Sequence, residues 1–211
     1  MLHIKSFVFS PIQENTYIIY NDAKECIIID PGCYDDEEKD QLASFIANNG
    51  LKPEKLINTH CHLDHVFGNK FVSEKYNLKL HLHKNEEQML NLAPASGLMY
   101  NMPFDNYTGE FIFLKEDEDL IFGDDSFKVF LTPGHSPGSL SFYSPKSKFV
   151  ISGDVLFKNS VGRSDLPGGS HDVLINSIKT KLMPLPDDTI VYSGHGPATT
   201  IGEERLSNPF L

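Results

Sequence analysis

The sequence predicts an α/β fold, because short apolar runs typical of β-strands alternate with stretches that have the apolar spacing of amphipathic helices. Strands are predicted at residues 2–9, 15–20 and 26–29, each bounded by polar or Pro-Gly turn sequences. The run 26–29 is apolar at every position, which is typical of a strand buried on both faces. Residues 35–49 begin with acids, continue at helical apolar spacing and are followed by Gly50, so they predict a helix packed on a sheet.

The rest of the chain continues this alternation. Further strands are predicted at 78–83, 127–131, 139–143, 149–152 and 189–192. Residues 84–118 are less regular: after a short predicted helix around 86–92, Met and aromatic residues occur without a clear period. Two interpretations of this segment stay open, ordinary loop packing and the lining of a substrate pocket. We expect a single domain spanning 1–211.

Composition and charge exclude several classes of protein. The net charge of -11 argues against a nucleic-acid partner, because binding to the phosphate backbone requires a basic surface. No apolar run approaches the ~20 residues needed to cross a bilayer, so no membrane association is expected. The first residues lack a basic segment followed by a long apolar one, so a cytoplasmic location is expected.

The three cysteines, Cys26, Cys33 and Cys61, are odd in number and have no CxxC spacing. They predict reduced thiols rather than a disulfide framework or a cysteine zinc site. Cys61 lies between two histidines, and in a strand its side chain would point away from theirs, which favours a structural role.

The most informative stretch holds four metal-capable side chains within six residues, directly after an apolar run: His60, His62, Asp64 and His65. If the strand continues through His62, its period of two places His60 and His62 on one side. Asp64 would then cap a helix that begins with it. Such a strand-to-helix turn orients His60 and His62 toward one ion, and Asp64 and His65 toward a second. The alternative is that Asp64 is only a cap and the histidines lie on the surface.

Three more candidates, His135, Asp154 and His195, each follow an apolar strand in a Gly-containing turn. Loops that leave one edge of a sheet converge, so these residues can join the first group despite their separation in sequence. Taken one at a time, each is more simply an ordinary turn residue, but the same strand-then-glycine pattern in all three, beside a dense motif, favours a shared site.

Asp30 and a second histidine pair are weaker candidates. Asp30 precedes Pro-Gly and could be a further metal ligand, but we favour a turn-ordering role that also allows it to orient metal ligands from outside the first coordination shell. His81 and His83 share a predicted strand face with Lys79, and no acid follows them. This pattern favours a solvent-facing strand over a metal site.

The set His60, His62, Asp64, His65, His135, Asp154 and His195 resembles the metallo-β-lactamase superfamily, whose pattern is H-x-H-x-D-H followed by His, Asp and His. The resemblance implies a four-layer αβ/βα sandwich of two mixed β-sheets. It also implies that one metal binds to His60, His62 and His135, and the other to Asp64, His65 and His195, with Asp154 bridging. Two divalent ions, most simply zinc with iron or manganese as alternatives, would share a hydroxide, and Asp64 would accept its hydrogen bond as a catalytic residue.

Within the superfamily, the segment from Gly162 to Gly169 and the one from Gly194 to Gly202 resemble the short bacterial glyoxalase II-like hydrolases. That resemblance implies cleavage of a small-molecule thioester such as S-lactoylglutathione. Arg163 falls at the position of a glutathione-contacting lysine and is expected to bind a substrate carboxylate, unless it pairs with Asp165 instead. No helical glutathione-binding domain follows His195, so weak glutathione binding is expected.

Two other reactions on the same scaffold stay open. One is a persulfide dioxygenase, in which His60, His135 and Asp154 hold a single Fe(II). The other is a lactonase. A purely structural metal site is disfavoured, because such sites use four closely bound ligands and no open position.

Overall fold

A computed structural model describes residues 1–211 and confirms the α/β class, with two mixed six-stranded sheets and a separate two-stranded ribbon. The strands are β1 Leu2–Phe9, β2 Glu14–Asn21, β3 Glu25–Ile29, β4 Lys52–Ile57, β5 Leu80–His83, β6 Phe111–Leu114, β7 Asp119–Phe122, β8 Asp125–Leu131, β9 Leu140–Ser144, β10 Phe149–Gly153, β11 Leu156–Phe157, β12 Ser160–Val161, β13 Ile190–Ser193 and β14 Thr199–Thr200. The α-helices are α1 Asp36–Asn48, α2 Leu63–Val66, α3 Asn69–Tyr76, α4 Glu87–Met99, α5 His171–Ser177 and α6 Ile201–Ser207. None of these helices combines the length and the apolar character that crossing a bilayer requires.

The chain divides into two compact units. The first consists of residues 1–82 and 87–113, and the second of residues 83–86 and 114–211. A single domain over the whole chain stays a prediction.

In the first unit, the sheet has the order β1-β2-β3-β4-β5-β6. β3 pairs with β4, and β4 with β5, in parallel, whereas β1, β2 and β3 are antiparallel. Ile27, Ile28 and Ile29 are fully buried, which confirms the prediction from the apolar run. Because β3 and β4 are parallel neighbours, the residues that follow them emerge side by side at one edge of the sheet.

Helix α1 confirms the prediction for 35–49. The Asp35 carboxylate caps it by accepting a hydrogen bond from the Glu38 amide at 2.9 Å, and Gly50 beyond its end has a φ of +61°. Glycine is suited to this left-handed conformation because it has no Cβ.

The predicted extension of the fourth strand through His62 is wrong, because β4 ends at Ile57. The amide of Thr59 donates to the Asp30 carboxylate at 2.7 Å rather than to a neighbouring strand, and this contact ends the ladder. The predicted cap is also wrong by two residues. Helix α2 begins at Leu63 with His62 at its N-cap position, and Asp64 lies in its first turn.

Helix α4 is longer than the predicted helix at 86–92 and continues through Pro94 to Met99. Proline has no amide hydrogen, so the carbonyl of Leu90 one turn earlier loses its helical partner. The Asn106 side-chain amide donates to that carbonyl at 2.8 Å, which explains why the helix persists.

In the second unit, the sheet has the order β14-β13-β10-β9-β8-β7, with β10 and β13 parallel and the other pairs antiparallel. The strands predicted at 127–131, 139–143, 149–152 and 189–192 correspond to β8, β9, β10 and β13. Their buried residues pack with helices α5 and α6 around Val150, Leu174, Ile178, Val191 and Ile201.

Candidate functional site

The first unit brings together the four residues of the His60–His65 motif. The rings of His60 and His62 lie 4.8 Å apart between centroids, and those of His60 and His65 lie 4.1 Å apart. The Asp64 Oδ2 atom lies 3.8 Å from His65 Nε2. Asp64 and His65 are buried, as is His60, so these polar groups are held in place rather than dispersed over the surface.

Asp30 organises this group through four hydrogen bonds. Its Oδ1 accepts from the Thr59 amide at 2.7 Å and from Asn58 at 3.2 Å, and its Oδ2 accepts from the Thr59 hydroxyl at 2.5 Å and from His65 Nδ1 at 3.0 Å. A carboxylate offers about four lone-pair positions, and four donors fill them. Asp30 therefore orders the turn and orients His65, as favoured from the sequence.

Glu14 is a buried carboxyl group beside this network that sequence reasoning did not identify. It is fully buried, its Oε1 lies 4.0 Å from His65 Nδ1, and burial raises its pKa well above the usual value. The Thr16 hydroxyl has one proton but lies 2.8 Å from both Glu14 Oε2 and the Asp30 carbonyl oxygen. A protonated Glu14 satisfies both contacts, because it donates to Thr16 while Thr16 donates to the carbonyl. No pattern in the sequence distinguishes Glu14 from other acids.

The second unit brings together His135, Asp154 and His195. Asp154 Oδ2 lies 3.6 Å from His135 Nε2 and 3.6 Å from His195 Nε2. Asp154 and His195 follow the parallel neighbours β10 and β13, and the Gly194 amide donates to the Gly153 carbonyl at 2.9 Å. These strand ends therefore converge within this unit, and the grouping of all seven predicted residues stays a prediction.

Arg163 contributes its backbone and its side chain to different contacts. Its carbonyl oxygen accepts a hydrogen bond from His135 Nδ1 at 2.7 Å. Its guanidinium donates from Nε and from one terminal nitrogen to the two Asp165 oxygens, both at 2.9 Å, and this contact lowers the pKa of Asp165 to about 2. The pairing with Asp165 that the sequence left open is thus present, and binding of a substrate carboxylate by Arg163 stays a prediction.

The second histidine pair departs from the predicted solvent-facing strand, because His81 is buried and His83 is half-buried. His81 is buried, its Nδ1 lies 3.0 Å from the Leu56 carbonyl oxygen, and burial lowers its pKa. The solvent-facing prediction is wrong for His81, because its side chain packs in the interior and hydrogen-bonds to the backbone of the neighbouring strand β4. Cys61 is buried in the apolar core of the first unit, in agreement with a structural role.

The donor chemistry fits divalent metal ions. Nδ1 of His65 and of His135 donates to an oxygen of Asp30 and of Arg163 respectively. Nδ1 of His60 lies 3.1 Å from the Thr59 hydroxyl, whose own proton is directed to Asp30, so this nitrogen donates as well. In each neutral ring the lone pair is then on Nε2, which is the arrangement found in metal-binding histidines with a hydrogen-bonded second nitrogen. Imidazole and carboxylate donors suit zinc, and they also suit iron.

Comparison with known proteins identifies relatives that share the whole chain. Residues 10–195 match the family model of the metallo-beta-lactamase superfamily. The chain is 39% identical over 203 residues to a probable metallo-hydrolase, YqgX, of Bacillus subtilis, covering 95% of this chain and 93% of the relative. It is 35% identical over 212 residues to the hydroxyacylglutathione hydrolase GloC of Haemophilus influenzae, covering 100% of this chain and 98% of the relative.

Solved structures share the fold. A protein described as the BLEG-1 B3 metallo-beta-lactamase superimposes with a TM-score of 0.91 and 41% identity, and 99% of each chain is covered. TTHA1623 in a di-iron-bound form superimposes with a TM-score of 0.89 and 36% identity, with 98% of this chain and 100% of the other covered.

Proposed function

This chain belongs to the metallo-β-lactamase superfamily of metal-dependent hydrolases, and we propose that it cleaves a small-molecule thioester of the S-lactoylglutathione type. The observation that carries the proposal is the match to a hydroxyacylglutathione hydrolase over the full length of this chain. The hydrogen-bonded histidines of both units support it, because a hydrolase of this kind needs preorganised metal ligands.

The proposed ligands are the seven residues predicted from the sequence. By the resemblance to the superfamily, one ion would be held by His60, His62 and His135. The other would be held by Asp64, His65 and His195, and Asp154 would contribute to both. When bound, a pair of divalent ions lowers the pKa of coordinated water and polarises the carbonyl that it attacks. Zinc is the proposed metal, and the di-iron-bound relative supports iron as the alternative.

The residues of the chain orient the reacting groups. Asp64 is proposed to accept a hydrogen bond from the attacking water, and Asp30 keeps His65 in the required tautomer. A thiol has a pKa of roughly 8.5, so the leaving thiolate departs without a strong proton donor. This chemistry is consistent with the histidine and carboxylate composition of the site.

The test is steady-state hydrolysis of S-lactoylglutathione and of a thioester of a small neutral thiol, with zinc, iron or manganese supplied separately. Asp64→Asn and Asp154→Asn should each lower kcat by about 100-fold or more, because each removes a metal ligand. Circular dichroism should show that both variants keep the fold. The control is Asp40→Asn, an exposed carboxylate in α1, which should keep normal turnover. Absence of thioester cleavage with every metal would remove the proposed activity.

A second candidate, hydrolysis of β-lactams, is favoured by the 41% identical structure described as a B3 metallo-beta-lactamase. A chromogenic cephalosporin should therefore be assayed in parallel to test for β-lactam hydrolysis, and a lactone to test for lactonase activity. A single iron per chain, with oxygen consumed on a persulfide substrate, would favour the dioxygenase over any hydrolase.

A further inference from the structure

Glu86 is a buried carboxylate whose place in the structure connects it to a candidate metal ligand. It ends the short 3-10 turn Lys84–Glu86 before α4 and is fully buried. Its Oε1 atom accepts hydrogen bonds from the Ser136 hydroxyl and from the Gly138 amide, both at 2.6 Å. All these residues belong to the second unit. Burial of a carboxylate is costly unless its hydrogen bonds are satisfied, so a specific role needs to account for it.

The two donors to Glu86 lie on the turn that carries His135. Ser136 and Gly138 follow His135 by one and three residues, so a single oxygen atom holds both ends of the segment after the histidine. A Cβ at Gly138 would lie 2.9 Å from Glu86 Cγ and 2.9 Å from His83 Nδ1. The glycine therefore allows the approach that brings its amide to Glu86.

The ring of His135 is held independently from a second direction. Its Nδ1 donates to the Arg163 carbonyl at 2.7 Å, and its Nε2 lies 3.6 Å from Asp154. The Arg163 carbonyl thus contacts the ring of His135, whereas Glu86 contacts the backbone segment that follows it.

We infer that Glu86 is a positioning residue that holds the His135 turn in the geometry required for metal binding. The inference rests on the proposed role of His135 as a metal ligand. Groups outside the first coordination shell that fix a ligand typically change metal affinity by about 10–100-fold when they are removed. Glu86 acts on His135 indirectly, because it contacts the backbone of the turn rather than the histidine ring.

The test measures zinc affinity by competition with a chelator, together with the visible absorption spectrum of the cobalt-substituted protein. Glu86→Ala should weaken binding of one zinc equivalent by about 10–100-fold and alter the cobalt spectrum. Glu86→Gln keeps the accepting Oε1 and should retain affinity within about threefold, since the amide oxygen can receive the same two donors. The matched control is Glu204→Ala. Glu204 is another buried carboxylate of the same unit, and it accepts from Thr199 and Asn208 rather than from the His135 turn.

A double-mutant cycle separates positioning from general stabilisation. In a His135→Ala background the effect of Glu86→Ala should shrink to less than about threefold, because residues that act through one another are not additive. The inference would be overturned if Glu86→Ala lowered zinc affinity equally in the wild-type and His135→Ala backgrounds. It would also be overturned if Glu204→Ala lowered zinc affinity as much as Glu86→Ala does. If Glu86→Ala does not fold, Ser136→Ala removes one of the two donors and should give a smaller loss of affinity; unchanged affinity in that variant overturns the inference as well.

These measurements use no substrate, so the two proposals fail separately. A wild-type protein that binds zinc but cleaves no thioester would remove the proposed activity and leave the role of Glu86 standing. Wild-type affinity in Glu86→Ala would remove that role and leave the activity standing. A wild-type protein that binds no divalent metal would overturn both.

Discussion

The buried His81 ring shows how tertiary structure sets the charge of a single residue. Its Nδ1 lies 3.0 Å from the Leu56 carbonyl oxygen, and burial lowers its pKa from the usual value of 6.5. The folded protein therefore binds a proton here less readily than the unfolded chain does. The stability that neutral His81 contributes is present above pH 6.5 and is lost as the pH falls toward the lowered pKa.

We expect His81→Gln to flatten the acid side of the stability profile. The amide can donate to the Leu56 carbonyl at every pH, so it does not titrate. Urea unfolding measured between about pH 7.5 and pH 5 should show that the free energy of unfolding falls more steeply for the wild type than for His81→Gln. The two slopes should differ by at most about 1.4 kcal/mol per pH unit. The control is His171→Gln at an exposed position of α5. Parallel profiles for the wild type and His81→Gln would contradict the prediction.

The exposed Arg163–Asp165 pair is expected to affect substrate choice. The side chains are 58% and 71% exposed, so the pair itself contributes little to stability. If Arg163 receives a substrate carboxylate, that carboxylate must displace Asp165. Asp165→Asn should then lower KM for S-lactoylglutathione by about three- to tenfold. The value of kcat should not change, because Arg163 would bind the substrate and the transition state more tightly to the same extent.

A thioester of a neutral thiol serves as the comparison substrate for that variant, and its KM should not change. Asp188→Asn, which breaks the exposed contact of Asp188 with Lys148 at 2.5 Å, is the control for loss of a surface charge. An equal change in KM for both substrates would show that Arg163 does not select carboxylates.

At the level of elements, helix α4 depends on a contact from outside the helix. Pro94 leaves the Leu90 carbonyl without its helical donor, and the Asn106 side chain supplies one. Local spacing in the sequence cannot reveal that Asn106 supplies the missing donor, because Asn106 lies 16 residues from Leu90. The predicted helix at 86–92 therefore ended too early.

Asn106→Ala should lower the free energy of unfolding by about 1–2 kcal/mol, because it leaves the Leu90 carbonyl without a donor. In a Pro94→Ala background the loss should be smaller, since an alanine at that position restores the backbone amide that donates to Leu90. Chemical denaturation of the four proteins of this cycle measures the difference. If Asn106→Ala lowered the free energy of unfolding equally in the wild-type and Pro94→Ala backgrounds, Asn106 would not be replacing the donor that Pro94 lacks.

For the whole molecule, metal content is the most direct test. We expect two zinc ions per chain after reconstitution and a higher melting temperature than for the chelated protein. A ligand that binds only the folded state at roughly 1,000 times its Kd adds about 4 kcal/mol to stability. Elemental analysis and thermal melts with and without chelator check both quantities. Asp154→Asn should retain fewer ions, and a full complement in that variant would contradict the assignment of Asp154.

The α/β class, the inner strand β3 and the helix α1 follow from the sequence, because local periodicity and capping residues determine them. The spacing of the motif residues also resembles the superfamily pattern, and the family comparison confirms that the chain belongs to this superfamily. Tertiary structure decided which groups hold the candidate ligands. Asp30 ends β4 early and orients His65, and Glu86 holds the turn of His135. These contacts join residues 29 to 52 positions apart, and a hydrogen bond between distant residues depends on strand order rather than on local spacing.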